Sequence, residues 1–509
     1  MRDIDVAFAA NVHNGVLLDA VGKENLEAAT LEIEGDKREF RVKGQGQLAG
    51  AVNSFTAVFR TKQSDNPGSA VRAAGNFTAA GLERILPGLT RHINGPVGVE
   101  VSYQKAGGSE ATVGFSADLT NASIVFSPLD YMKHPGQGAT AAGLVHLSAG
   151  KPYAISEFSM RGPGLSTTGD IRIQSDGKNW EQMRLSSLEY AGNRFSDLTL
   201  SQTSDYVSIH AKQGVYDSAP LFGKLSSQSN QTQTTGGKAT VITVKHLDRL
   251  GLPKGKSITN VSLSLRQRNG GIEEMNFTGY LPAMNGKRQV GTKGFIQARL
   301  APNSRGEFQL DLTADDAGAL LDTFGIWKSA RYGKVRIKAV SAQPFPLAPI
   351  RVGTWISRFT ILDTPTLTQL LSFASLTGMV DVLNGKGLFF GRMESRLTYH
   401  RGKIQMDDLR MKGPSLGIRL QGQIDNNAKR LALTGTIAPF NFVTQLVDGV
   451  PLLRDIVNGV KGEGILAANF RLDGRMQKPK ISVNPLVSIA PGIVRDVFGD
   501  ILGNDFVGL

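Results

Sequence analysis

The chain contains no cysteine. Disulfides, thiolate nucleophiles, iron–sulfur clusters and Cys-based zinc sites are therefore excluded, whatever the compartment. It also lacks any apolar run near the ~18–20 residues that cross a bilayer as a helix. Its start, Met1-Arg-Asp-Ile-Asp-Val-Ala-Phe8, has no basic flank followed by an apolar stretch, and reads as a strand rather than a signal peptide. Charged residues are scarce, at 20%, against roughly 25% in ordinary soluble proteins. Glycine is abundant, 59 of 509 residues, but has no Gly-X-Y period, so a collagen helix is excluded. The apolar content, 40%, is too high for a disordered chain.

Catalytic patterns are missing as well. The histidines are His13, His92, His134, His146, His210, His246 and His400, and no two stand within four residues of each other. Local His-x-His or His-x-x-x-His metal pairs are thus absent, and no metal site is expected. Gly251-Leu-Pro-Lys-Gly-Lys-Ser257 resembles a phosphate loop, but its first glycine is one residue too close and the loop leads into a strand. The acidic pairs Asp315-Asp316 and Asp407-Asp408 are assigned to helix capping and to a solvated turn. No catalytic residue and no cofactor is expected.

What the sequence does have is alternation. Val207, Ile209 and Ala211 alternate with polar residues, as do Val261, Leu263 and Leu265, then Val335, Ile337 and Ala339, then Ile418 and Leu420. The runs are short and bounded by turn signals such as Asn269-Gly270-Gly271. Strands of this kind have one apolar and one wet face. The expected fold is mainly β: an elongated antiparallel repeating β-groove, a curled sheet with a few short interspersed helices. Four segments, 79–103, 313–340, 363–399 and 441–472, share a plan of short helix, glycine turn and strand, and read as a degenerate repeat. The polar stretch 223–239 reads as a linker. The proline-rich stretch 341–350 reads either as a separator of a C-terminal unit or as an irregular edge, and the division adopted places groove modules over 1–340 and a C-terminal region over 341–509.

The net charge is +13. Basic residues are spread along strands and the aromatics fall mostly on apolar faces, which is not the stacked-base pattern of nucleic-acid-binding sheets. No nucleic acid partner is expected; a basic wet face suits an anionic membrane surface equally well.

The C-terminal 150 residues carry a resemblance. Gly422-Gln-Ile-Asp425, Pro439, Pro451-Leu452, Gly462 and Gly464, Gly474 before Lys478-Pro479, Val483-Asn484-Pro485-Leu486 and Ala490-Pro491-Gly492 occur in the order seen in the AsmA-like family. The likeness is strongest to its large YhdP-type members of Gram-negative bacteria. It implies a periplasmic protein of repeated β-grooves, anchored in the inner membrane in its relatives and implicated in moving phospholipid toward the outer membrane. That anchor is not in this sequence, so the expectation is the downstream part of a longer chain.

The residues support the same function. About four short helices are too few to cover so many one-sided strands, and an exposed apolar face invites aggregation unless something occupies it. Acyl chains are suitable occupants, since each CH₂ gains about 0.8 kcal/mol without specific contacts. The expected groove lining is Ile418, Leu420 and Ile424, then Leu431, Leu433 and Ile437, then Leu466, Ala468, Phe470 and Leu472. Residues 491–502 predict an amphipathic helix with Ile493, Val494, Val497, Phe498, Ile501 and Leu502 on one face, meeting a membrane surface or a membrane protein. The alternative function is a scaffold for outer-membrane assembly that binds client strands at its sheet edges without conducting lipid.

Overall fold

The computed structural model describes residues 7–64, 67–85, 92–106, 109–126, 131–176, 179–219, 238–284, 290–362, 367–369, 371, 387–414, 416–439 and 467–486. Strand makes up 72% of it. The chain forms two compact units, Met1–Tyr216 and Asp217–Leu509. This division differs from the expected one at 340/341. Residues 341–350 form a hairpin loop inside the second unit, between strands that pair up to Ser341 and Ile350.

The first unit is built on one meandering antiparallel sheet. Its strands are β1 (Ala7–Val21), β2 (Glu24–Asp36), β3 (Glu39–Leu48), β4 (Ala51–Arg60) and β5 (Gly68–Phe77). A short β6 (Ile93–Asn94) leaves the sheet, and β7 (Val97–Ala106) and β8 (Glu110–Asp118) return to it. Two more short strands, β9 (Ser123–Phe126) and β10 (Tyr131–Lys133), complete a separate three-stranded sheet in which β9 lies between β6 and β10. The main sheet then continues through β11 (Thr140–Ser148), β12 (Lys151–Gly162), β13 (Leu165–Ile173), β14 (Trp180–Tyr190), β15 (Asn193–Gln202) and β16 (Tyr206–Asp217).

The second unit repeats the scheme. It runs through β17 (Ala239–Gly251), β18 (Ser257–Arg268), β19 (Gly271–Tyr280), β20 (Phe295–Pro302), β21 (Phe308–Ala314) and β22 (Ala330–Ser341). It goes on through β23 (Ile350–Ile361), β24 (Leu388–His400), β25 (Lys403–Lys412), β26 (Leu416–Asp425), β27 (Arg430–Pro439), β28 (Ala467–Arg475) and β29 (Lys478–Leu486). From β17 onward each strand pairs antiparallel with the next. Neither unit's sheet closes into a barrel.

Helix is sparse among the described residues, and each main helix caps one end of the strands. Helix α1 (Ala79–Ile85) starts where Thr78 Oγ1 accepts from Gly81 N, 3.1 Å away. Its Leu82 joins Phe77, Val97, Leu119, Ala139 and, from the small sheet, Ile124 and Tyr131 in one core cluster. Helix α2 (Ala317–Thr323) is capped by Asp316, whose carboxylate accepts from Ala319 N at 2.9 Å. Of the acidic pair expected to cap this helix, Asp316 does so, whereas Asp315 accepts from Lys293 N at 2.9 Å. Of the four expected helix–turn–strand copies, these two are present. The helical parts of the other two, in 363–387 and 441–466, lie largely or wholly outside the described residues, as does most of 223–239. The expected helix 491–502, with Ile493, Val494, Val497, Phe498, Ile501 and Leu502, also lies outside them.

One charged side chain holds the corner between β8 and β11. Lys133 is fully buried. Its Nζ donates to the carbonyls of Ala122 at 2.7 Å, Leu119 at 2.8 Å, Thr120 at 2.9 Å and His134 at 3.1 Å. Burial pushes its pKa down, and the nearby Asp118 carboxylate opposes that. Four carbonyls of an irregular loop thus have a single shared partner, which lets this loop be buried at all. Lys133→Met keeps the bulk and removes the donor. It is expected to lower stability by about 2–3 kcal/mol, read by urea unfolding, because several buried acceptors lose their partner together.

Candidate functional site

The pairing registers decide what the alternation builds. In an antiparallel pair, directly opposed residues point to the same face. Followed across the first unit, one row reads Ala10, Ile33, Val42, Ala57 and Val71. It continues through Tyr103, Val113, Val145 and Ile155. It ends with Ile171, Met183, Leu200 and Ile209. Every strand of the main sheet contributes one apolar rung. With strands about 4.8 Å apart, the row is about 58 Å long. Of these residues only Ala57 is buried; Ala10 is exposed and the rest are half-buried. The row is therefore apolar without being a packed core.

The second unit carries an equivalent row. It reads Ile242, Leu265, Met275, Leu300, Leu310, Ala339 and Val352. It goes on through Leu397, Met406, Gly422, Leu433, Leu472 and Ile481. Gly422 is the one rung without a side chain, for a steric reason. Its φ is +135°, and a Cβ there would stand 2.2 Å from the Ala432 carbonyl oxygen. A parallel row, Ile296, Ala314, Val335, Ile356, Met393, Met411, Ile418 and Ile437, is buried throughout. It lies toward the strand end where α2 packs on β22.

The expected lining residues that are described fall on this face together. Ile418, Ile437 and Ala468 share one row, Leu420 and Phe470 flank Gly435 in the next, Leu433 and Leu472 lie in a third, and Ile424 opposes Leu431 in a fourth. Leu466 lies outside the described residues. Their exposure differs by row. Ile418 (3%), Ile437 (0%), Ala468 (1%), Phe470 (4%), Leu433 (7%) and Leu472 (9%) are buried, whereas Leu420, Ile424 and Leu431 are half-buried.

The opposite face holds furrows whose linings mix charged and apolar side chains. One, about 1140 Å³, spans β2 to β12, where Thr30, Glu32, Lys43, Arg72, Glu100 and Glu157 line it together with Phe55, Phe115 and Leu144. Asp408 is on this face in the second unit. It is 8% exposed, paired with Arg410 at 2.8 Å, Arg419 at 2.9 Å and Arg396 at 3.8 Å. The expected solvated turn is thus corrected for Asp408: β25 bulges between Met406 and Leu409, which turns Asp408 onto the arginines.

Titratable groups elsewhere do structural work. Asp36 is held below the usual carboxylate range by the backbone N–H groups of Glu39 and Arg38. Asp425 is lowered by those of Ala428 and Asn427, and Asp118 by the hydroxyl and N–H of Thr120. All three shape turns. His146 Nε2 lies 2.7 Å from Ser156 Oγ, and His246 Nε2 3.0 Å from Asp248 Oδ1. Among the described residues, no three His, Asp or Glu groups cluster closely enough to hold a metal, and no helix is long and apolar enough to cross a membrane. Compared with known proteins, the chain matches no protein-family model and no curated relative.

The two kinds of row differ in what a charge would do there. Ile437→Asp places a carboxylate in a site with no solvent access and is expected to cost ~4 kcal/mol or more. Ile155→Asp, on the half-buried row, is expected to cost only about 1–2 kcal/mol. Urea midpoints of the two variants measure the difference.

Proposed function

We propose that the apolar faces are surfaces along which phospholipid acyl chains lie and slide, and that the protein serves as a bridge for phospholipid between the inner and outer membranes. On this reading it works in the periplasm, as the resemblance to the AsmA-like family implies. The observation that carries the proposal is the unbroken and mostly half-buried apolar row across every main-sheet strand of the first unit. A core would be covered; an ordinary surface would be polar. Its length of about 58 Å exceeds the ~30 Å of a bilayer's hydrocarbon, so several chains fit in succession.

The physics of such a surface suits transfer. Acyl chains gain about 0.8 kcal/mol per buried CH₂ wherever they lie on it, so moving one rung forward exchanges like for like. Headgroups stay in water. No covalent step is required, and the protein is read as a conduit rather than an enzyme.

Photo-crosslinking tests this directly. Benzophenone side chains at Val113, Ile155 and Met183 are expected to capture phospholipid in cells, and those at the neighbouring wet positions Thr112 and Arg184 are not. Native mass spectrometry of the purified chain is expected to show bound phospholipid. Equal capture on both faces, or no lipid at all, would sink the conduit reading and leave the assembly scaffold. As a second check, His210→Ala, His246→Ala and His400→Ala are each expected to leave lipid loading unchanged. Loss of loading in a variant of normal stability would point to a role for chemistry that the conduit does not need.

A further inference from the structure

The excess positive charge belongs to one unit. Residues 1–216 hold 20 Lys plus Arg against 22 Asp plus Glu, while residues 217–509 hold 37 against 22. The registers show where part of the surplus goes. On the polar face of the second unit, Lys334, Ser357, Arg392 and Lys412 stand opposed on consecutive strands β22 to β25. The adjacent row on the same strands is Arg336, Trp355, Glu394 and Arg410. Cations that looks scattered along the sequence are thus gathered by pairing into one patch.

The patch has two layers. Arg410 and Arg419 are drawn inward onto buried Asp408, with side chains only 19% and 30% exposed. Arg336, Arg392 and Arg396 project outward, with side chains 59%, 62% and 54% exposed. Arg336 has only a loose ion pair, 3.9 Å from Asp311, and Arg392 contacts Glu394. Among the described residues no carboxylate pairs with exposed Lys334. Between them lies a cavity of about 650 Å³, lined by Lys334, Arg336, Arg392, Ser357, Asp315 and Trp355.

We propose that this face of the second unit docks on an anionic lipid surface. Each cation near such a surface contributes about 1 kcal/mol, and a half-buried Trp355 among them is the kind of aromatic that settles at headgroup depth. The hydroxyl of Ser357 and the guanidinium groups suit phosphate oxygens. A nucleic acid is the less fitting polyanion, because bases stack on successive aromatics and this patch offers one. The docking face is the reverse of the sheet from the apolar rows, so it stands whether or not acyl chains occupy those rows.

The test uses the full chain and vesicles. It is expected to sediment with vesicles of phosphatidylcholine plus phosphatidylglycerol, not with phosphatidylcholine alone, and to come off in 1 M salt, where the Debye length falls to about 3 Å. The triple variant Lys334→Gln/Arg336→Gln/Arg392→Gln is expected to bind about a hundredfold more weakly. The first-unit control Arg41→Gln/Lys43→Gln/Arg72→Gln is expected to bind as the parent does. A second readout avoids substitution of the patch. With Trp180→Phe and Trp327→Phe, Trp355 is the sole indole, and its emission is expected to shift to the blue on adding anionic vesicles. Equal binding to neutral vesicles, undiminished binding by a folded triple variant, an unshifted Trp355, or a short oligonucleotide bound more tightly than the vesicles would each overturn the proposal.

Discussion

Everything in this molecule depends on keeping parity. A strand's side chains alternate with a period of two, so a single-residue slip in any pairing exchanges the two faces from that strand onward. Each unit passes its apolar face through consecutive strands without such an exchange. Where an extra residue does enter, a bulge absorbs it. Ile155 and Phe158 are three residues apart yet pair with Ile171 and Gly169, which are two apart. Glu157 between them has a φ of 53°, the left-handed conformation that takes up the surplus residue. The bulge between Val244 and Leu247 does the same for β17 against Leu263 and Val261.

Parity also separates two kinds of energetics. The apolar rows are stabilised by area, which is additive and indifferent to position along the row. The wet rows act through charge, which is local, depends on salt and is unevenly distributed between the units. The same strands thus carry a surface with little preference for where an occupant lies and, on their other side, a surface with a defined patch. Helices α1 and α2 contribute at the strand ends, where a covered row gives each unit a compact core.

How much of this was legible in the sequence follows from the same rule. The strands around Val207, Leu263, Ile337 and Ile418 were, because alternation is local. So were the cap at Asp316 and the sharing of one face by Ile418, Leu433 and Phe470. Asp408 was not. Alternation counted from Met406 gives it one face and alternation counted from Leu409 the other, and only the bulge between them decides. The joined cations were hidden for a related reason. Lys334 and Arg392 are 58 positions apart in the chain and are brought onto one row by two successive pairings through Ser357. The hairpin at 341–350 was not legible either, because prolines in a hairpin loop resemble those in a linker, and only the pairing of Ser341 with Ile350 tells them apart.

Lys133 has a consequence for how the first unit relates to its medium. Carbonyl oxygens converging on one point ordinarily invite a dissolved cation, whose occupancy follows its concentration and yields to chelators or competing ions. Here the positive charge is tethered to the chain, on a side chain whose backbone is itself part of β10. The loop is therefore held by a counter-charge that cannot be diluted, exchanged or extracted. That corner of the fold should be as firm in a medium stripped of divalent cations as in one rich in them.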